Sequence, residues 1–236
     1  SFHRLLGDGS QLGVNITYTV QHEPNGLAQA FVIGESFIDG DACALVLGDN
    51  IFYGSGMSGY LRDAVCQAQS GKAATVFAYH VNDPQRFGIV EIDESGKAVS
   101  LEEKPEHPRS NWCVTGLYFY DERVCDYARR VSPSARGEYE ITDLNRMYLE
   151  EGRLSVSALG RGFAWFDAGT IDSLYEASEF IRAVECRQSF RIACLEEISF
   201  ANGWICREEM RRVIQASLKS DYGQYLQNIL DMSEDN

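Results

Sequence analysis

Nowhere does the 236-residue chain run for about 18 uncharged apolar residues, so no segment reads as a membrane-crossing helix. Its first residues, Ser1-Phe2-His3-Arg4, have neither an initiator methionine nor the apolar core of a signal peptide. The expectation is a soluble protein whose natural start lies elsewhere. Seven cysteines, at 43, 66, 113, 125, 186, 194 and 206, form no C-x-x-C pair. Their odd number argues against a disulfide framework and for a reducing, cytoplasmic home. The four histidines, His3, His22, His80 and His107, lack the short spacing of zinc ligands. Neither G-x-S-x-G nor a Walker-A sequence occurs, which disfavours hydrolase triads and P-loop chemistry. A formal charge of -14 argues against a nucleic-acid partner, whose phosphates need clustered Lys and Arg. A phosphate substrate stays compatible with that charge where local cations and a metal offset it.

With 44% hydrophobic residues and 11% aromatics, the chain can bury one large core. Apolar runs of strand length alternate with helical patterns, the signature of an α/β fold with a mostly parallel sheet covered by helices. Residues 14–20, 43–47, 74–81 and 113–120 read as strands, with helices opening at Gly26 and over 58–69. Residues 88–104 read as a hairpin around Glu94-Ser95-Gly96-Lys97. Two further helices follow, over Tyr139–Glu151 and Asp172–Cys186. In the second, Leu174, Ala177, Ile181 and Val184 share a face, and Asp172 or Ser173 is expected to cap with Glu176. The expected division is a domain over 1–186 and a C-terminal helical appendage over 187–236, built on amphipathic segments 207–219 and 221–232 and fraying from Ser233.

The apolar strand Ala44-Leu45-Val46-Leu47 ends in Gly48-Asp49, and in open α/β sheets ligands bind beyond the carboxyl ends of strands. A second acid, Asp167, leaves the run Phe163-Ala164-Trp165-Phe166 in the same way. Two carboxylates converging from separate strands would suit magnesium, which takes one or two carboxylates plus phosphate oxygens. Each is equally readable as a turn or helix-capping residue. Lys104, closing the hairpin, and Arg136, before a helix, are loop cations suited to a sugar phosphate, although either reads as surface charge in isolation. Gly54-Ser55-Gly56-Met57-Ser58-Gly59 satisfies G-x-G-x-x-G, but Gly48 through Tyr53 intervene after the strand, so a flexible loop is the better reading than a dinucleotide fingerprint.

Taken in order, Leu6-Gly7-Asp8-Gly9-Ser10, the stretch from Gln21 through Pro24-x-Gly26-Leu27-Ala28-Gln29-Ala30, Leu47-Gly48-Asp49-Asn50-Ile51-Phe52-Tyr53-Gly54, Glu102-Glu103-Lys104-Pro105, Gly137-Glu138-x-x-Ile141-Thr142-Asp143, Ala164-Trp165-x-Asp167-x-Gly169-Thr170 and Ile192-Ala193-Cys194 resemble the glucose-1-phosphate thymidylyltransferases. The resemblance implies a three-layer α/β nucleotidyltransferase domain with its active site at the strand ends. It implies that Gln21, Gly26 and Leu27 meet the nucleotide, with Gln21 reading thymine and Asp49 beside it. Asp49 and Asp167 match magnesium ligands. Gly88, Glu103 and Val114 match groups on the glucose hydroxyls, Lys104 and Arg136 match cations on the sugar phosphate, and Trp165 lines the pocket. Phe87, Leu12 and Ala168 depart from the tyrosine, tryptophan and threonine usual there, and the family's glycine-rich G-x-G-T-R-L loop has no counterpart in residues 1–236.

The activity so implied is direct attack of glucose-1-phosphate on the α-phosphorus of dTTP, with Asp49, Lys104 and Asp167 as catalytic residues and Mg2+ as cofactor. The product would be dTDP-glucose, the entry to dTDP-sugar (dTDP-rhamnose) synthesis. A homotetramer and feedback by a dTDP-sugar are further expectations of the resemblance. So is inactivity of residues 1–236 taken alone. The alternatives are a UTP- or CTP-dependent sugar-1-phosphate nucleotidyltransferase and a non-catalytic nucleotide-sugar-binding regulator.

Overall fold

The computed structural model describes residues 2–217 and 219–233; of the tail expected to fray, 234–236 lie outside the described residues. Ser233 is tied down, its hydroxyl donating to the Leu230 carbonyl and accepting from Arg207. The chain divides into two compact units, Gln21–Ala177 and Ser1–Val20 with Ser178–Asn236. The first twenty residues therefore group with the C-terminal helices.

The larger unit contains eight strands: β1 Cys43–Val46, β2 Asn50–Gly54, β3 Ala74–His80, β4 Gly88–Ile92, β5 Ala98–Glu103, β6 Trp112–Tyr120, β7 Leu154–Ala158 and β8 Phe163–Asp167. Six form one sheet in the order β5-β4-β6-β3-β7 with β1 also on β6, while β2 and β8 make a separate antiparallel ribbon. The nine-residue β6 is the hub. One of its edges carries β3, and the other is shared by β4 near Cys113 and β1 along Leu117–Tyr120.

Among the described residues only β3 and β7 pair in parallel, so the expected mostly parallel order is corrected to a mixed sheet. A strand covered on both faces reads as a continuous apolar run in either direction, so its orientation was not legible.

Alternation along the central strands sorts the core into two layers. Val76, Tyr118 and Tyr120 face α2 (Gln29–Ile33), α5 (Val124–Arg130) and α6 (Ile141–Glu150) through Phe31, Tyr127, Leu144 and Tyr148. Phe77, Leu117 and Phe119 face the opposite way, onto Ala64 and Ala68 of α4 (Met57–Gln69), after α3 (Glu35–Ile38) has led into β1. The expected hairpin is present, with Gly88 opposite Glu103 and Gly96 turning at φ 84°.

Residues 14–20 are not a strand. They pair in no ladder, and Tyr18 and Val20 are exposed. Alternating β-branched residues favour a pleated, half-buried surface, and this segment is given none. The helix expected from Asp172 starts at Ile171 and runs to Gln188 as α7, so its cap moves to Thr170. The Thr170 hydroxyl accepts from Ser173 N, and the Ser173 hydroxyl accepts from Thr170 N. Of its expected apolar face only Ala177 is buried; Leu174 is exposed, and Ile181 and Val184 are half-buried.

In the second unit, α8 (Leu195–Ala201), α9 (Arg207–Ser217) and α10 (Asp221–Met232) enclose Cys194, Ile205, Met210, Ile214, Leu226 and Leu230. The Ser220 hydroxyl caps α10 by accepting from Gly223 N. Near the chain start, α1 (Phe2–Leu6) leads into a turn whose Gly13 lies so close to the Trp204 backbone that a Cβ would come within 2.1 Å of its carbonyl oxygen. All seven cysteines are free.

Two packing details fix where α6 and the β2–β8 ribbon sit in the larger unit. At the end of β6, the fully buried Asp121 accepts from the Arg123 guanidinium and from the Tyr148 hydroxyl of α6. Burial raises the Asp121 pKa, but hydrogen bonds from Arg123 and Tyr148 outweigh it and hold the group below its ordinary 3.8. Its stabilisation is thus complete above that ordinary value and lost as the pH falls through the depressed one. We expect Asp121→Asn to cost about 2–3 kcal/mol near neutrality, with the difference from wild type shrinking in acid. Urea titrations at several pH values check this.

At the second detail, Gly116 has room for no side chain: its Cβ would lie 2.6 Å from Cγ of Asn50, which hydrogen bonds hold in place. Gly116→Ala should therefore cost about 1–3 kcal/mol, read from the urea midpoint.

Candidate active site

Asp49 sits in the tight turn from β1 to β2, closed by Asn50 N donating to the Leu47 carbonyl. Asp167 ends β8, directly opposite Asn50 in the ribbon register. Beyond it the chain stays close, with Ala168 N donating to the Asp49 carbonyl at 2.8 Å. A Cβ placed on Gly169 would lie 3.2 Å from Asp167 Oδ1 and 3.5 Å from Asp49 Oδ2. The two carboxylates therefore border one small space, kept open because residue 169 is glycine. Thr170 caps α7, which leaves Asp167 free of that task.

Asn50 organises this corner. Its Nδ2 donates to Asp49 Oδ1 at 2.9 Å, and its Oδ1 accepts from Gly116 N and from Trp165 Nε1, each at 2.8 Å. With Asp49 Oδ1 so engaged, Oδ2 is the oxygen near Gly169. No group of three or more His, Cys, Asp and Glu able to hold a metal exists among the described residues. A pair of carboxylates matches a small hard cation that completes its shell with water and phosphate oxygens, and does not match a zinc site.

A cavity of about 380 Å³ gathers Gln21, Gly26 and Leu27 with Glu103, Lys104 and Arg136. The Gln21 amide donates to the Gly26 carbonyl at 3.2 Å and to Gln29 Oε1 at 2.7 Å, which fixes its orientation. Gly26 is required by its own neighbours: φ is +111°, and a Cβ would lie 2.4 Å from the Tyr139 carbonyl oxygen. On the far wall, Glu103 Oε2 accepts from the Thr142 hydroxyl, and its Oε1 faces Arg136 Nη1 at 3.5 Å and Lys104 Nζ at 4.0 Å. A Cβ on Gly88 would press on Thr142 Oγ1 at 3.0 Å and Glu103 Oε2 at 3.1 Å. Lys104 itself has φ +43° and precedes Pro105, a strained backbone held by its N–H donating to the Phe87 carbonyl at 3.0 Å.

Phe87 also links the cavity wall to the carboxylate pair. Its ring meets Trp165 edge-on with centroids 5.4 Å apart, and Trp165 in turn donates to Asn50. The phenylalanine that stands where tyrosine is usual still supplies this ring contact. At Ala168 the backbone N–H, not a side chain, reaches Asp49.

Gly88, Val114 and Trp165 are not among the residues lining this cavity; Val114 lies half-buried in β6, against two core clusters. Asn50, Thr142 and Gly116 were missed as site residues, although Asn50 and Thr142 stood inside quoted motifs. For Asn50 the available signal was a polar residue directly beside Asp49. The loop with G-x-G-x-x-G spacing leaves β2, a strand paired antiparallel with β8, which is not the parallel unit of a dinucleotide fold. A larger cavity, about 500 Å³, is lined by Tyr79, His80, Trp112, Arg161 and Phe163 and contains no carboxylate.

The nucleotidyl transferase family model matches residues 1–184. A glucose-1-phosphate thymidylyltransferase of Neisseria meningitidis serogroup A is 56% identical over 230 residues, covering 98% of this chain and 79% of the relative. One from Mycobacterium tuberculosis is 51% identical, covering 98% and 78%. Among solved structures, a Bacillus anthracis protein provisionally assigned as a glucose-1-phosphate thymidylyltransferase, in complex with sucrose, aligns with a TM-score of 0.68 and 40% identity, covering 76% of this chain and 70% of that one. With its carboxylate pair and its cation-bearing cavity in this setting, the chain belongs to the glucose-1-phosphate thymidylyltransferase family of nucleotidyl transferases.

Proposed function

We propose that these residues serve the transfer of a thymidylyl group from dTTP to glucose-1-phosphate, giving dTDP-glucose and pyrophosphate. The single observation that carries this reading is the cavity that sets the oriented Gln21 amide and Gly26 on one side and Lys104, Arg136 and Glu103 on the other. With both Nε2 hydrogens engaged, Gln21 offers Oε1 as a fixed acceptor, which suits the N3–H of thymine or uracil, and a Lys–Arg pair suits a phosphate. Glu103, with one oxygen held by Thr142, offers the other to a sugar hydroxyl.

The work asked of the chain is alignment of two anions, which needs no general base because a phosphate oxygen is already ionised at neutral pH. Lys104 and Arg136 hold the nucleophile, and Trp165 with Phe87 walls the space between cavity and carboxylates. Asp49 and Asp167 would hold magnesium, which supplies charge neutralisation at the α-phosphate. No helix among the described residues is long and apolar enough to cross a membrane.

Asp49→Asn and Asp167→Asn should each lower turnover by about 100-fold or more and raise the magnesium concentration needed, with the circular-dichroism spectrum unchanged. Wild-type turnover at an unaltered magnesium requirement in either variant would refute the shared metal site.

Base selection is the second expectation. Steady-state rates with pyrimidine triphosphates should rank dTTP above UTP, with CTP poorest because cytosine N3 carries no hydrogen for the Gln21 Oε1 acceptor. A preference for CTP would reject the Gln21 assignment.

A further inference from the structure

We infer that Glu138 sets the affinity of the cavity for phosphate, acting as an internal counter-ion that holds Arg136 until a phosphate displaces it; the inference rests on the sugar-phosphate reading of that cavity. The charged residues lining it are Lys104 and Arg136 against Glu103, Glu138 and Glu140. Carboxylates thus outnumber cations, and a phosphate that binds Arg136 competes with them for it.

The geometry identifies which one yields. Arg136 Nη2 donates to Glu138 Oε1 at 3.0 Å, whereas its Nη1 lies 3.5 Å from Glu103 Oε1 and 3.7 Å from Glu140 Oε1. Glu103 and Glu140 have other anchors, the hydroxyls of Thr142 and Ser134 respectively. Glu140 is 9% exposed and Glu103 22%, but Glu138 is 38% exposed, so water can take over its carboxylate when Arg136 leaves. A buried acid stripped of its cation would resist that exchange.

The exchange needs no backbone movement. Gly137, at φ +79°, sits in a turn closed by Ser134 N to the Glu138 carbonyl at 2.9 Å and Gly137 N to the Ser134 carbonyl at 2.8 Å. Arg136 N is also held, by the Ser134 hydroxyl at 3.1 Å. Both ends of the Arg136–Glu138 pair are therefore mounted on a fixed turn, and only side-chain rotation separates them. Departure of Arg136 also releases Glu103 Oε1, the oxygen offered to a sugar hydroxyl, so phosphate and sugar contacts reinforce each other.

The test is titration of the 236-residue chain with inorganic phosphate, comparing wild type, Glu138→Gln and Glu106→Gln. Glu106 is an exposed acid outside the cavity lining and controls for the loss of one negative charge. Glu138→Gln should tighten phosphate binding by about three- to fivefold, the competing worth of one exposed ion pair, with a much smaller change in Glu106→Gln. Adding Arg136→Gln to Glu138→Gln should erase the gain. No tightening in Glu138→Gln, equal tightening in both single variants, or a gain that survives loss of Arg136 would each overturn the inference. Parallel titrations with glucose-1-phosphate separate the two readings. Tighter phosphate binding in Glu138→Gln with no added affinity for the sugar phosphate in any chain would uphold the counter-ion and reject the sugar-phosphate site.

Discussion

The Asn50 side chain is the joint on which the site depends. Its carbonyl oxygen receives two N–H groups, from the Gly116 backbone in the hub strand and from Trp165 in the β2–β8 ribbon, while its amide donates to Asp49. One amide thus ties ribbon, hub strand and acid together. It fits only because the hub strand has a glycine there, between the stretches where β4 and β1 share the same edge. A half-buried amide with three partners is stiff, since releasing any one leaves a polar group unsatisfied.

A second chain of contacts supports the cavity through α6. Buried Asp121 fastens Tyr148 near the end of α6, and the start of that helix carries Thr142, whose hydroxyl holds Glu103. Tyr120 adds a buried hydrogen bond to Asn145 of the same helix at 2.6 Å. The helix is therefore placed by polar contacts as well as by Leu144 and Tyr148 packing against the sheet. Misplacing it by even one ångström would move Glu103 relative to Lys104 and Arg136, the kind of error that costs positioning catalysis most.

Electrostatically, both cations of the cavity face carboxylates. Arg136 is surrounded by three glutamates and Lys104 lies near one of them, within a chain whose formal charge is -14. Polyanionic ligands are thus met by local cations and by the space between Asp49 and Asp167, against an unfavourable overall field. Specificity then depends on geometry in the cavity more than on attraction from a distance.

Much of this was legible in the sequence because the relevant signals are local. Apolar runs ending in Asp49 and Asp167, the turn at Ser95-Gly96 and the helices found at Met57–Gln69, Ile141–Glu150, Arg207–Ser217 and Asp221–Met232 all follow from periodicity and turn chemistry that a few adjacent residues specify. What tertiary structure decided was everything that needs a partner. It set the antiparallel direction of most pairings and denied residues 14–20 a sheet. It moved the α7 cap to Thr170, left Val114 half-buried in β6, and brought Asn50 to Asp49, Gly116 to Asn50 and Thr142 to Glu103. The physical reason is the same in each case: propensity and hydrophobic period are properties of one segment, whereas strand direction, side-chain satisfaction and the convergence of charges exist only between segments.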